Sequence, residues 1–224
     1  MSALLHLLHI DPPLLESGDR MSREEFLARW EQMPGLKRAE LIDGVVYIPS
    51  PVSRRHGRHD LLLQGWIFHY IARCPFVEAL SNSTWLMQGS APQPDVAMRL
   101  KPEYGGRSRV IDELIEGAPE LAIEVAGSSR SYDLGPKLDL YRSAGVGEYI
   151  AVLLEEKRVE WRVLRGSDYA ILAPDASGIL RSAFFPGLWL DEPAFWANDA
   201  GRLVATIEKG TASPEFQEFL SRPR

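Results

Sequence analysis

The spacing of apolar positions changes period along the chain, and each change marks an element. Ser22 with Glu25 three residues on is a capping-box pair, and Phe26, Leu27 and Trp30 then share one face, which predicts a helix over Ser22–Gln32. Ala39–Ile42 and Val45–Ile48 flank Asp43-Gly44, a pair suited to positive φ, and read as an antiparallel hairpin. From about His56 to Arg73, Leu61, Leu62, Ile67, Phe68, Tyr70 and Ile71 predict a buried helix, which Pro75 ends. Short apolar runs bounded by turn residues follow. Phe76–Leu80, Thr84–Met87, Asp95–Met98, Leu121–Val125, Glu148–Leu154, Val159–Leu164 and Tyr169–Leu172 all read as strands. Asp133–Ala144 interrupts them: Leu134, Leu138 and Tyr141 recur at helical spacing, and Gly145 stands where a C-cap glycine belongs. The order strand, helix, strand across Leu121–Leu154 points to an α/β fold. Lys101–Gly117 reads as a charged surface loop and Ser213–Arg224 as a frayed tail.

Composition sets the bounds. A chain of 224 residues, 45% hydrophobic and 25% charged, can bury one sizeable core. Leu4–Ile10 is too short to span a bilayer, lacks a cationic flank and runs into Asp11-Pro12-Pro13, so neither a signal peptide nor a membrane span is expected. The single cysteine, Cys74, forms no intrachain disulfide and suits a reducing, cytoplasmic setting as a core filler. A net charge of −6 lacks the basic surplus with which nonspecific DNA binders displace counterions. Nucleic-acid contact therefore falls to a local patch, and the densest cationic run is Arg54, Arg55, His56, Arg58 and His59, which reads either as a phosphate contact or as a solvated helix start. Trp85, Trp161, Trp189 and Trp196 suit core packing better than base stacking. Ser128 and Ser129 have no nucleophile elbow or triad order around them and shape a turn, while Gly105-Gly106 lacks the continuation of a phosphate loop.

Two carboxylates break the apolar pattern where it matters most. Glu124 interrupts Leu121-Ala122-Ile123-Glu124-Val125, and Asp95 heads Asp95-Val96-Ala97-Met98. A carboxylate in such a strand costs several kcal/mol unless it is paired or bound to a cation. A hard divalent cation would account for both; an edge position or a salt bridge would account for each alone. Lys137 lies three residues after Leu134 and four before Tyr141, so its stem shares the packed helix face and its ammonium has a carboxylate to reach. In phosphodiester hydrolysis such a trio divides the work: carboxylates hold the metal, and the ammonium orients the nucleophile or stabilises developing charge.

Glu40-Leu-Ile-Asp-Gly44, Pro94-Asp95-Val96, Pro119-Glu-Leu-Ala-Ile-Glu124-Val125, Ser128-Ser129 with Asp133 and Lys137, Tyr141, Gly145-Val-Gly-Glu-Tyr149 and Phe185-Pro-Gly-Leu188 follow one another in an order that resembles the Uma2 family. The resemblance spans roughly Ser22 to Phe195. It implies a restriction-endonuclease-like fold of the PD-(D/E)XK type, a mixed β-sheet flanked by helices with an N-terminal helix and hairpin. It divides the chain into an extension (1–21), the domain (22–198) and a tail (199–224). It further implies a Mg2+- or Mn2+-dependent endonuclease acting on DNA, with Asp95 and Glu124 as metal ligands and Lys137 completing the catalytic set. Glu40 and His56 match family positions as additional site residues, and Arg54, Arg55 and Arg58 are the cations nearest them in sequence. A non-catalytic binding or assembly module on the same fold is the alternative. This chain departs from the wider superfamily in one respect: the lysine normally stands two residues after the acid, where this sequence has Ala126. Such folds often pair as homodimers, for which the turn at Lys157 or the tail offers an interface.

Overall fold

Ser22 accepts a hydrogen bond from the Glu25 amide and so starts α1 (Arg23–Glu31), after which β1 (Glu40–Ile42) and β2 (Val45–Tyr47) form the hairpin with both Asp43 and Gly44 at positive φ. This is a computed structural model describing residues 14–221; Leu4–Ile10 lies outside them. Ser53 caps α2 (Arg54–Ile71) through the His56 amide, two residues ahead of the predicted start. Next come β3 (Val77–Ser81), β4 (Trp85–Leu86), β5 (Val96–Leu100), β6 (Arg109–Ile111), β7 (Leu114–Glu116) and β8 (Leu121–Ala126). Two helices, α3 (Arg130–Asp133) and α4 (Pro136–Ala144), lead to β9 (Glu148–Leu153), β10 (Arg158–Arg165) and β11 (Asp168–Ile171). The hairpin β12 (Ile179–Arg181) and β13 (Trp189–Asp191) and helices α5 (Glu192–Ala197), α6 (Ala200–Thr211) and α7 (Pro214–Leu220) complete the chain. No described helix is long and apolar enough to cross a membrane.

The main sheet has the order β11-β10-β9-β8-β5-β3, parallel only between β8 and β9. Strand alternation gives it two chemically distinct faces. Leu121, Ile123 and Val125 of β8 pack with Leu63, Trp66 and Tyr70 of α2 and with Ile207 and Phe216 further on, forming the larger core. The opposite face is lined by Ala97, Ala122, Ala126 and Ala151, with Leu140 and Tyr141 of α4 beside them. Glu124 lies between Ala122 and Ala126 and therefore belongs to this alanine face. Val96 pairs with Ile123, so Asp95, one step along, comes level with Glu124 on the same face.

Three expectations need correction. The helix read over Asp133–Ala144 is broken at Leu134-Gly135, because Pro136 has no amide to continue α3 and restricts the residue before it; Pro136 instead opens α4, which Gly145 closes at φ 83°. The stretch read as a charged loop, Lys101–Gly117, contains a 3-10 turn (Pro102–Tyr104) and the hairpin β6–β7, whose second strand lies parallel to β4. Its strands of three residues are too short to show an alternation. The supposed frayed tail holds α7, capped by Ser213, with Phe216 and Phe219 buried in the main core.

The backbones of Gly187 and Gly210 meet where α6 crosses the β12–β13 hairpin: a Cβ on Gly210 would lie 2.2 Å from the Gly187 carbonyl oxygen. Gly210→Ala should therefore destabilise the protein by about 1–3 kcal/mol through forced repacking. Urea denaturation followed by tryptophan fluorescence checks this, and should show one transition, since α6 and α7 share the core of the sheet.

Candidate active site

A cleft of about 480 Å3 opens beyond the C-terminal ends of β8 and β9, between the start of α2 and the α3–α4 pair. At its floor the Lys137 ammonium lies 2.8 Å from Glu40 Oε1 and 2.7 Å from Glu124 Oε1, with 3% of its side chain exposed. Tyr141, one helical turn after Lys137, donates to the same Glu124 oxygen at 2.7 Å. Both contacts use Oε1, so neither engages Oε2. Glu40 is held in turn by the Gln93 amide (2.5 Å) and the Tyr132 hydroxyl (3.3 Å), each of which donates to it. Asp95 Oδ2 accepts from the Val125 amide at 2.8 Å; Arg38 reaches Asp95 Oδ1 at 3.3 Å, and His56 Nε2 stands 3.6 Å from Oδ2. Asp133 accepts from the Ser129 hydroxyl at 2.6 Å.

These contacts set the charges. Burial would discharge Lys137, but Glu124, Glu40 and Asp133 outweigh it and raise its pKa well above the ordinary lysine value. Burial pushes Glu124 well above the usual carboxylate range; Lys137 opposes the shift, and the charges of Asp133, Asp95 and Glu40 add to it. Burial likewise drives Asp133 up to about 6, against the pull of Lys137 and Ser129. Asp95 goes the other way: burial would raise it, but His56, the Val125 amide and Lys137 together hold it below its ordinary value. The Asp95 contact raises His56 against the opposing effect of burial.

Asp95, Glu124, Lys137, Glu40 and His56 all line this one cleft. Of the three arginines singled out at the start of α2, only Arg55 does; Arg54 and Arg58 are exposed and lie outside it. Sequence reasoning missed Arg38 and Tyr132, and noted Tyr141 for its spacing and its place in the family pattern without giving it a role in the site. Tyr141 had a signal, the four-residue step from Lys137; Arg38, in the loop before β1, had none. Among the described residues no three His, Cys, Asp or Glu side chains converge as a metal-binding group.

A six-stranded mixed sheet flanked by helices, with acids and a lysine gathered at the ends of its central strands, is a restriction-endonuclease-like architecture. The chain belongs to the Uma2 family, whose model, described as "Putative restriction endonuclease", matches residues 23–192. A solved structure from Anabaena variabilis ATCC 29413, described as a "putative nuclease belonging to DUF820", resembles it with a TM-score of 0.59 over 84% of this chain and 99% of that one. At 14% identity the likeness bears on the fold. No curated protein matches the chain.

Lys137→Met would leave Glu40 and Glu124 buried without their shared cation. The expected loss is about 3–5 kcal/mol at pH 8. It should shrink at pH 5, because burial already favours the neutral form of Glu124 and lower pH eases its discharge once the cation is gone. Urea midpoints at the two pH values test both parts. His56 titrates above its ordinary 6.5, so its contribution is fully present below that pH and is lost as pH rises through the folded value. Asp95, shifted below its ordinary 3.8, stays charged to lower pH. The stability difference between wild type and His56→Gln should thus be largest near pH 5–6 and fade by pH 9.

Proposed function

We propose that this protein is a divalent-metal-dependent endonuclease that hydrolyses DNA phosphodiester bonds at the Asp95–Glu124–Lys137 cluster. The observation that carries this reading is an ammonium buried between two carboxylates at the floor of a cleft that also bears Arg38, Arg55 and His56. A purely structural ion pair has no need of an open cleft.

The residues present fit Mg2+ or Mn2+. Mg2+ is commonly held by one or two carboxylates, with water and substrate phosphate completing its shell. Asp95 and Glu124 are such a pair, and Glu124 Oε2 is not engaged by Lys137 or Tyr141. Carboxylates also outnumber cations around Glu124, an imbalance that a further positive charge would relieve. When bound, the cation polarises the phosphate and supplies an activated water. The chain provides the rest. Asp95 and Glu124 anchor the cation, and the Val125 amide and Tyr141 hydroxyl fix their orientations. Lys137, kept charged by Glu40 and Glu124, orients the attacking water and offsets charge building on the phosphate. Arg38 and Arg55 draw the flanking phosphates in.

A second reading, a non-catalytic binding or assembly module on the same fold, is favoured by the hold of Arg38 and His56 on Asp95, and its assembly form by the net charge of −6. Incubation with plasmid and oligonucleotides in Mg2+ or Mn2+ separates the two. Endonuclease action predicts cleavage that falls roughly 10²–10³-fold in Glu124→Gln and in Lys137→Met. Cleavage undiminished in both would place the chemistry elsewhere. Absence of cleavage, together with no rise in melting temperature at millimolar metal, would favour the module.

A further inference from the structure

The segment joining β2 to α2 carries surface that the proposed hydrolysis does not use. Tyr47, Ile48, Pro49, Pro51 and Val52 line the same cleft as the acids. Pro49 and Pro51 fix φ at two points, so the strip is stiff before anything binds it. Val52 is 54% exposed. At its other end the strip reaches the chemistry: the Tyr47 ring packs on Tyr132 with centroids 4.1 Å apart, and the Tyr132 ring centre lies 5.3 Å from the Lys137 ammonium.

Cations accompany this apolar wall. Arg38 keeps Nε buried with no hydrogen-bond partner among the described residues, a donor left over after its contact with Asp95. Arg55 pairs with Glu155 at 3.0 Å near the surface, where an ion pair is worth little and a phosphate can replace the carboxylate. Aromatic and apolar surface interleaved with cations is how proteins grip single strands, with bases laid on rings and the backbone following the charge.

The shape of the cleft argues against an intact duplex. The side chains of Asp95 and Glu124 are recessed, with 6% and 4% exposed. A volume of about 480 Å3 lies in the range of roughly 300–1,000 Å3 for small-molecule pockets, room for a nucleotide or two. A fully paired duplex presents its phosphates on a broad, stiff convex surface, whereas an unpaired strand is free to lower one phosphate towards acids recessed to this depth. The net charge of −6 also leaves few contacts with which to hold a long duplex.

We infer that the cleft selects unpaired DNA, a single strand or a locally melted one, with a base lying on Tyr47 and the Pro49–Val52 strip while its phosphate is led by Arg38 and Arg55 towards Asp95 and Glu124. The choice of DNA rests on the nuclease reading; the choice of an unpaired strand rests on the cleft.

Fluorescence anisotropy with a short fluorescein-labelled oligonucleotide, alone and as a blunt duplex, tests this on the full chain, with Ca2+ replacing Mg2+ to hold back cleavage. The single strand should bind on the order of tenfold more tightly than the duplex, and Tyr47→Leu should remove most of that advantage. Val52→Asp, at an exposed position that tolerates a polar group, should weaken single-strand binding similarly with an unchanged melting temperature, which keeps the test sound if Tyr47→Leu folds poorly. Equal or tighter duplex binding, or single-strand binding indifferent to both substitutions, overturns the inference. In Mg2+ or Mn2+, preferential single-strand binding without any cleavage upholds it while removing the nuclease reading. Cleavage of intact duplex as fast as single strand does the reverse.

Discussion

The Lys137 ammonium, out of water and 2.7 Å from Glu124 and 2.8 Å from Glu40, is tolerable only because several segments converge on it. Either charge alone in that place would cost several kcal/mol. The pair is sustained by a second ring of bonds: Tyr141 on Glu124, Tyr132 and the Gln93 amide on Glu40. The alanines of β5, β8 and β9 contribute by leaving space on that face of the sheet where larger side chains would have filled it. The sheet thus has one face given to the larger core and one where a second apolar core surrounds the polar cluster, and β8 serves both through simple alternation.

Arg38 and His56 give Asp95 a different environment from that of Glu124, although the two acids stand level on neighbouring strands. His56, the Val125 amide and Lys137 hold Asp95 below its ordinary value, whereas Glu124 shares its lysine with Glu40 and is pushed towards protonation first by burial and then by the acids around it.

Much of this was legible in the sequence. Short apolar runs between turn residues identified β5, β8, β9 and β10, and two acids lodged in those runs identified the face that carries the cleft. The link from Lys137 to Glu124 followed from helical spacing and family resemblance together. What escaped notice had physical causes. Pro136 sat within a run whose apolar spacing looked continuous, and the break it imposes was overlooked. Strand β7 owes its existence to pairing with β4, and β6 to pairing with β7, rather than to any pattern of their own. Helix α7 looked like a polar tail because polar residues separate Phe216 from Phe219 and Leu220, all of which pack on the core, and Arg38 is brought to Asp95 by tertiary folding alone.

The contacts that make the cleft are distant in sequence: 57 residues separate Arg38 from Asp95, 92 separate Glu40 from Tyr132, and 100 separate Arg55 from Glu155. Within the floor only the bonds of Lys137 and Tyr141 to Glu124 join residues near one another in sequence, and Glu40 and Asp95 come from far outside that stretch. A ribosome making this chain releases Glu40 and Asp95 well before Lys137, and β9, which flanks β8, emerges later still. Until then the acids have neither their cation nor a completed sheet to hold them level. Assembly of the cleft is tied to completion of the whole domain, and a truncated or half-made chain carries the residues without the site.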